Sequence, residues 1–258
     1  MEEFYSGLMV DVFDKIATEV VYEQRASEVI KLVKQHNPKA KILLELACGT
    51  GNFTKQLAKE KFVIRATDIS KDEIEKARTK GIRATFSVAD MSKLRAKKKF
   101  DIICCFWESF RYLPNYKVCE NTLRRIFKAL NQKGLFFVDF THFPPHPKPF
   151  KIPTYTINLE KGLRVLKQTS ILTKGKADTR WDDIRYELNG KDITGQKIIW
   201  NGKSILLKPK LARASLLRIE REKMEQMLMK SGYNLLEVRY GFSGCPESML
   251  FVAQKTGE

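Results

Sequence analysis

Residues Glu45 to Asn52 read ELACGTGN, and Gly49 and Gly51 are the first residues whose spacing suggests chemistry. Two glycines one residue apart let the chain turn tightly and let a ligand lie directly on the backbone. The dinucleotide fingerprint needs a third glycine three residues later, and Thr54 stands there, so NAD is disfavoured. The lysine and hydroxyl of a phosphate-binding loop are missing too. Acids further along raise the specificity. Asp68 comes seventeen positions after Gly51, where a carboxylate can accept two hydrogen bonds from ribose hydroxyls. Asp90, within VADM, is placed to accept from an adenine amino group, with Ile69 and Met91 on either face of the ring. Glu45 lies under the loop, where it can orient the loop or a ligand's ammonium group. Each acid alone has an ordinary explanation as a helix cap or a loop brace. Glycine loop, Asp68 and Asp90 at three successive strand ends are harder to obtain by accident.

Those side chains meet only if regular elements hold them at one edge. Val21 to Lys34 has an apolar face at helical spacing, with Pro38 just beyond. Lys41 to Leu46 is a short apolar run that reads as a buried parallel strand. Asn52 to Lys61 reads as a helix and Phe62 to Thr67 as a second strand. Ser70 to Lys80 is a helix with a serine cap and Glu73 three residues on. Strands are expected over Ala84–Val88, Phe100–Phe106 and Leu135–Phe140, with a helix over Val118–Leu130. This alternation predicts an α/β fold, a Rossmann-like doubly wound sheet of seven mostly parallel strands, whose ligands sit beyond the strands' carboxyl ends.

After Phe140 the pattern changes. Pro144, Pro145, Pro147, Pro149 and Pro153 exclude helix and sheet interior. Gly162 to Leu188 then alternates with a β rhythm, and Asn201-Gly202 predicts a hairpin turn. Residues 144–218 are therefore expected to be an antiparallel β insertion after strand five, covering the acceptor site. Residues 1–143 and 219–258 are expected to form the cofactor-binding domain, closed by a helix over 219–230 and strands over 233–240 and 249–254.

The 258 residues are 43% hydrophobic and 30% charged, the balance of a globular chain. No run approaches the roughly 20 apolar residues of a membrane span. The N-terminus does not resemble a signal peptide, so the expected location is cytoplasmic. Five cysteines without paired spacing argue against a disulfide framework, and three histidines against a metal site. Formal net charge is +17, which attracts phosphate, acidic molecules or anionic surfaces, or reflects a lysine-rich surface style. Residues 144–218 carry sixteen Lys and Arg against six Asp and Glu.

On these motifs, Lys41 to Phe140 resembles the class I S-adenosylmethionine-dependent methyltransferases. ELACGTGNFT resembles their first motif and VADM their adenine-binding motif. FDIICCFWESFRYL and LNQKGLFFVDF resemble their fourth and fifth strands. The amino-terminal FYSGLMVDVFD and the ending GFSGCPESMLFVAQK resemble the small-molecule branch, in particular sugar-amine N-methyltransferases. Phe13-Asp14 replaces the Tyr-Asp of that branch, which removes one hydroxyl from the cofactor's carboxylate. The resemblance implies S-adenosylmethionine as cofactor, held by Glu45, Ala47, Gly49, Gly51, Asp68, Ile69, Asp90 and Met91, with Phe106 and Trp107 at the end of strand four. It places the acceptor beyond strands four and five, near Trp107, Glu108, Arg111 and Tyr112, with His142 as base and Tyr5 as a lid residue. A wall tryptophan, a partly buried tyrosine and a solvated linker histidine are the plainer roles for Trp107, Tyr112 and His142.

Methyl transfer from a sulfonium is an in-line displacement in which the protein positions a nucleophile and excludes water. No metal is implied. The Asp/Asn-Pro-Pro-Tyr loop of adenine and glutamine N-methyltransferases is replaced by FWES, and Cys104-Cys105 lie inside an apolar strand without a following proline, the setting of core cysteines. The expected function is methyl transfer to N or O of a small molecule, acidic or phosphorylated if the charge of residues 144–218 is used. A nucleic-acid methyltransferase and a non-catalytic cofactor-binding regulator are the competing readings.

Overall fold

The computed structural model describes residues 5–95, 99–141, 150–151, 154–174, 177–242 and 246–256. From the N-terminus the elements are α1 (Leu8–Asp14), α2 (Glu19–His36), β1 (Ile42–Leu46), α3 (Asn52–Leu57), β2 (Val63–Asp68), α4 (Lys71–Thr79), β3 (Thr85–Val88) and β4 (Phe100–Cys105). Then come α5 (Tyr116–Ala129), β5 (Leu130–Thr141), β6 (Phe150–Lys151), β7 (Tyr155–Asn158), β8 (Leu163–Lys174), β9 (Ala177–Leu188) and β10 (Lys191–Asp192). The chain closes with β11 (Lys197–Trp200), β12 (Lys203–Leu206), β13 (Lys210–Leu217), α6 (Arg221–Lys230), β14 (Tyr233–Tyr240) and β15 (Ser248–Lys255). They fall into two compact units, residues 19–143 with 217–258 and residues 1–18 with 144–216.

The first unit is a seven-stranded sheet in the order β14-β15-β5-β4-β1-β2-β3. Strands β1 to β5 pair in parallel, and β15 runs antiparallel to β5. This is the Rossmann-like, mostly parallel α/β sheet expected from the sequence. Its central strands are buried on both faces, which is why Phe100–Cys105 and Leu135–Phe140 read as apolar runs rather than alternations. Helices are fixed by local chemistry. The Ser70 hydroxyl accepts the Glu73 N–H at 3.2 Å and the Asn115 side chain accepts the Val118 N–H at 3.0 Å. α5 turns Cys119, Leu123, Ile126 and Ala129 into the core. α3 ends at Leu57 rather than Lys61, because Lys59 and Glu60 donate three residues back and tighten the chain out of the helix. Among the described residues no helix is long and apolar enough to cross a membrane.

The second unit is an antiparallel sheet, β10-β9-β8-β6, with β13 on β9 and β7 on β8, and the separate hairpin β11-β12. Asn201 and Gly202 form the hairpin turn with φ of 49° and 76°, the left-handed pair that such a turn requires. Residues 1–18 were expected with the cofactor domain, but they pack in this unit. The apolar stripe Leu8, Met9 and Val12 of α1 shares a core with Ile157, Val165, Ile184 and Tyr186. The Trp200 indole donates to the Asp11 carboxylate at 2.8 Å. Tyr186 and Trp200 thus serve this core, while Tyr155 is exposed. The unit also buries a charge pair, in which the Lys167 ammonium donates to Asp182 at 2.9 Å and to Thr169 at 2.7 Å. Burial pulls the Lys167 pKa down to about 8 against the opposing field of Asp182.

Candidate active site

The glycine loop leaves β1 at Leu46. Ala47, Gly49 and Gly51 take φ of 53°, 54° and 79°. A side chain at Gly51 would be strained and crowded, since a Cβ there would lie 3.1 Å from the Phe86 ring and 3.2 Å from Ile82. Three backbone donors fix the loop, two of them to β2 and one within the loop itself. The Cys48 N–H reaches the Thr67 carbonyl at 3.0 Å, the Gly51 N–H reaches the Cys48 carbonyl at 3.0 Å, and the Gly49 N–H reaches Asp68 Oδ2 at 2.8 Å.

Asp68 therefore does two things. Its Oδ2 holds the glycine loop, and its Oδ1 accepts the Ser70 N–H at 2.8 Å. A carboxylate has about four acceptor positions, and with the Ile69 N–H as a third backbone donor one remains for a ligand hydroxyl. Burial pushes the Asp68 carboxyl above its usual range, while its backbone donors pull it down. Glu45 lies under the loop, 3% exposed, and accepts the Thr54 hydroxyl at 2.6 Å. Burial raises its pKa from 4.5 to about 8.

Asp90 is a cap as well as an edge acid. Its Oδ1 accepts both the Ser92 N–H at 2.8 Å and the Ser92 hydroxyl at 2.7 Å, and Lys93 stands 3.5 Å from Oδ2. Beside these acids, Ile69 and Val88 expose 62% and 51% of their surface, and Met91 is half-buried. Aliphatic groups left in solvent between these two acids offer an apolar face to a flat ring.

Phe106 is buried, with the Phe53 ring 4.7 Å away and the Phe242 ring 5.8 Å away. Its side chain supports the strand end from within the core. Trp107 and Glu108 follow with φ of 59° and 61°, two non-glycine residues in succession in the left-handed region. Trp107 is 37% exposed, Arg25 lies 3.8 Å above its ring, and Tyr22 is 5.2 Å away. The Glu108 N–H donates to Asp139 on β5 at 3.1 Å. Burial raises the Asp139 pKa to about 7, against the Glu108 N–H and the field of Arg25. Arg111 is buried and donates to the Glu108 carboxylate at 2.7 Å and to the carbonyls of Thr141 and Leu217. Tyr112 is half-buried in the same short 3₁₀ turn, Ser109–Tyr112.

The structure thus gathers Glu45, Ala47, Gly49, Gly51, Asp68, Ile69, Asp90 and Met91 along the carboxyl ends of β1, β2 and β3, and Phe106, Trp107, Glu108, Arg111 and Tyr112 beyond β4. Tyr5 belongs to the other unit, where its ring packs on Phe13 at 5.4 Å. His142 lies outside the described residues. Arg25 and Asp139 were not singled out from the sequence. Arg25 shares the helical stripe of Tyr22, Ala26 and Val29, and Asp139 is the one acid in the apolar run Leu135–Phe140; a charge in such a place was the signal available.

The site fits S-adenosylmethionine: it has a backbone cradle of left-handed glycines that a Cβ would crowd at Gly51, a carboxylate with a spare acceptor position for ribose, and exposed aliphatic flanks for adenine. Residues 43–134 match the model of a methyltransferase domain. The chain is 25% identical over 190 residues to the dTDP-3-amino-3,6-dideoxy-alpha-D-glucopyranose N,N-dimethyltransferase of Streptomyces fradiae, covering 73% of each. It shares the fold of CalS10, an amino pentose methyltransferase from Micromonospora echinaspora solved with S-adenosylmethionine bound, with a TM-score of 0.77, 15% identity and 98% of each chain covered. It also shares that of Streptomyces venezuelae DesVI, with a TM-score of 0.74, 20% identity and 92% of each chain covered. Loop, edge acids and relatives agree that residues 43–134 form a methyltransferase domain of the S-adenosylmethionine-dependent kind.

Proposed function

We propose that the protein methylates the nitrogen of a small amine-bearing acceptor of the amino-sugar kind. The supporting observation is the likeness to the Streptomyces fradiae amino-sugar N,N-dimethyltransferase over 190 residues, about twice the length of the methyltransferase domain alone. S-adenosylmethionine supplies, when bound, a methyl group already activated on a sulfonium. The amine lone pair forms the new N–C bond as the C–S bond breaks, the electron pair leaves with sulfur, and the extra proton departs from nitrogen. The chain's task is placement. The glycine loop and Asp68 hold the cofactor, and Trp107 and Glu108 orient the acceptor. His142 is the proposed proton acceptor, with Tyr112 as an acceptor-contacting residue. Residues 144–218, with their excess of Lys and Arg, are the proposed source of acceptor selectivity.

The test is transfer of labelled methyl from S-adenosylmethionine to three panels: amino sugars and their nucleotide conjugates, hydroxyl-bearing analogues, and RNA. Label on the amino sugars alone supports the reading, and His142→Ala should then lower kcat with little change in cofactor affinity. Label confined to hydroxyls or to RNA replaces it.

A further inference from the structure

A cleft of about 470 Å³ opens on the flank of α5. One wall is the exposed stripe Asn121, Arg124, Arg125 and Lys128, which falls at i, i+3, i+4 and i+7 on one helix face. The other wall carries Leu94, Arg95 and Lys99. Five cations face one space, and among the described residues that line it there is no carboxylate. The two walls are tied through backbone oxygens. Arg125 donates to the Leu94 carbonyl at 3.5 Å, and Lys99 donates to the Lys128 carbonyl. Arg124 has Asn121 at 3.0 Å and Glu120 only at 3.8 Å.

Along α2 and α3 three lysines each face a carboxylate, Lys34 with Glu60 at 3.0 Å, Lys55 with Glu19 and Lys59 with Glu23 at 2.9 Å each. A general lysine-rich surface style accounts for those pairs but not for a one-signed cleft. The dipole of α5 favours a cation in its last turn and so explains Lys128; it does not explain Arg95 or Lys99 on the facing wall. Like charges on facing walls repel, and a ligand bearing several negative charges relieves that repulsion. The helix stripe spans about 10 Å, roughly three phosphate steps of a duplex. The apolar lining is Leu94 and Ala129, with no aromatic ring on which a base could stack.

We propose that this cleft binds the phosphate backbone of duplex nucleic acid, separately from the methyl-transfer site. It runs along α5 to Ala129, which leads into the start of β5, whereas Asp68, Asp90 and Trp107 follow the carboxyl ends of β2, β3 and β4. The proposal does not depend on the acceptor assigned above.

The experiment is fluorescence anisotropy of a labelled 16-base-pair RNA duplex titrated with the full chain at several salt concentrations. About four neutralised phosphates give a slope of roughly −3.6 in log affinity against log salt, so affinity should fall on the order of 100-fold between 50 and 200 mM salt. Arg124→Gln with Lys128→Gln should cost at least tenfold at 50 mM salt and roughly halve the slope, with melting temperature and S-adenosylmethionine affinity unchanged. Lys203→Gln with Lys208→Gln, in the other basic unit, should leave duplex affinity within twofold. Absence of duplex binding by the wild type overturns the proposal. So does equal loss in both double variants, or displacement of the duplex by inorganic triphosphate at matched phosphate concentration, which would mark a small-anion site.

Discussion

The Asp139 carboxylate, near the end of β5, accepts the backbone N–H of Glu108, just past the end of β4, at 3.1 Å. This bond crosses between neighbouring strands at the edge where the acceptor is expected. It holds a turn in which Trp107 and Glu108 both adopt left-handed backbone, a conformation costing on the order of 1–2 kcal/mol per non-glycine residue. Arg25 over the Trp107 ring braces the same turn from α2. Strain kept in place by a buried acid and a stacked guanidinium is the pattern of a pre-organised site.

Asp139→Ala leaves the Glu108 N–H without its acceptor, at a cost of about 1–3 kcal/mol. Thermal melting should register that loss, and kcat should fall more than cofactor affinity because the turn lies beyond β4 rather than at the glycine loop. Asp139→Asn keeps an acceptor oxygen and should recover most of the stability. An alanine variant as active as the wild type would show that the turn does not position the acceptor.

Asp68→Ala should weaken S-adenosylmethionine binding at least tenfold. Charge-assisted hydrogen bonds contribute about 1.5–3 kcal/mol each, and the same substitution releases the Gly49 N–H from its partner. Calorimetry reads the affinity. An unchanged dissociation constant would limit Asp68 to bracing the loop.

Gly51→Ala should destabilise the fold even without ligand. The new methyl group meets Phe86 at 3.1 Å on a residue with φ of 79°. Left-handed strain of about 1–2 kcal/mol and overpacking of about 1–3 kcal/mol act together. Denaturant titration of the ligand-free protein measures it, and a midpoint equal to wild type refutes it.

Glu45 predicts a pH dependence. Its folded pKa of about 8 lies above 4.5, so the folded state binds more protons than the unfolded state between those values. Its contribution to stability is complete below pH 4.5 and is lost as pH rises towards 8. Glu45→Gln removes that slope, so the stability difference, variant minus wild type, should climb from pH 5 to pH 8. A difference flat across this window would mean that Glu45 is ionised in the fold.

Lys167 and Asp182 form a wholly buried pair. Lys167→Met strands the Asp182 carboxylate and should cost about 3–5 kcal/mol, whereas Lys167→Met with Asp182→Leu should come out near neutral or stabilising. A double-mutant cycle on melting data separates the two outcomes, and a single variant as stable as wild type would contradict the pair's coupling.

The local features were legible in the sequence because local chemistry fixes them. The Ser70 cap, the left-handed turn at Asn201-Gly202, the tight glycine loop and the both-sides-buried strands each depend on residues close together in the chain. The β/α alternation then set the sheet, and with it the placement of Gly49, Asp68 and Asp90 at adjacent strand ends. Tertiary structure decided the rest. Nothing in residues 8–12 tells that their apolar stripe will meet Ile157 and Tyr186 rather than the large sheet, because an amphipathic helix specifies a face and not its partner. Arg25 over Trp107 and Asp139 under Glu108 join segments that are far apart in sequence, and such contacts leave no period to read. The pKa values of Glu45, Asp139 and Lys167 follow from desolvation by the whole fold, which no single segment encodes.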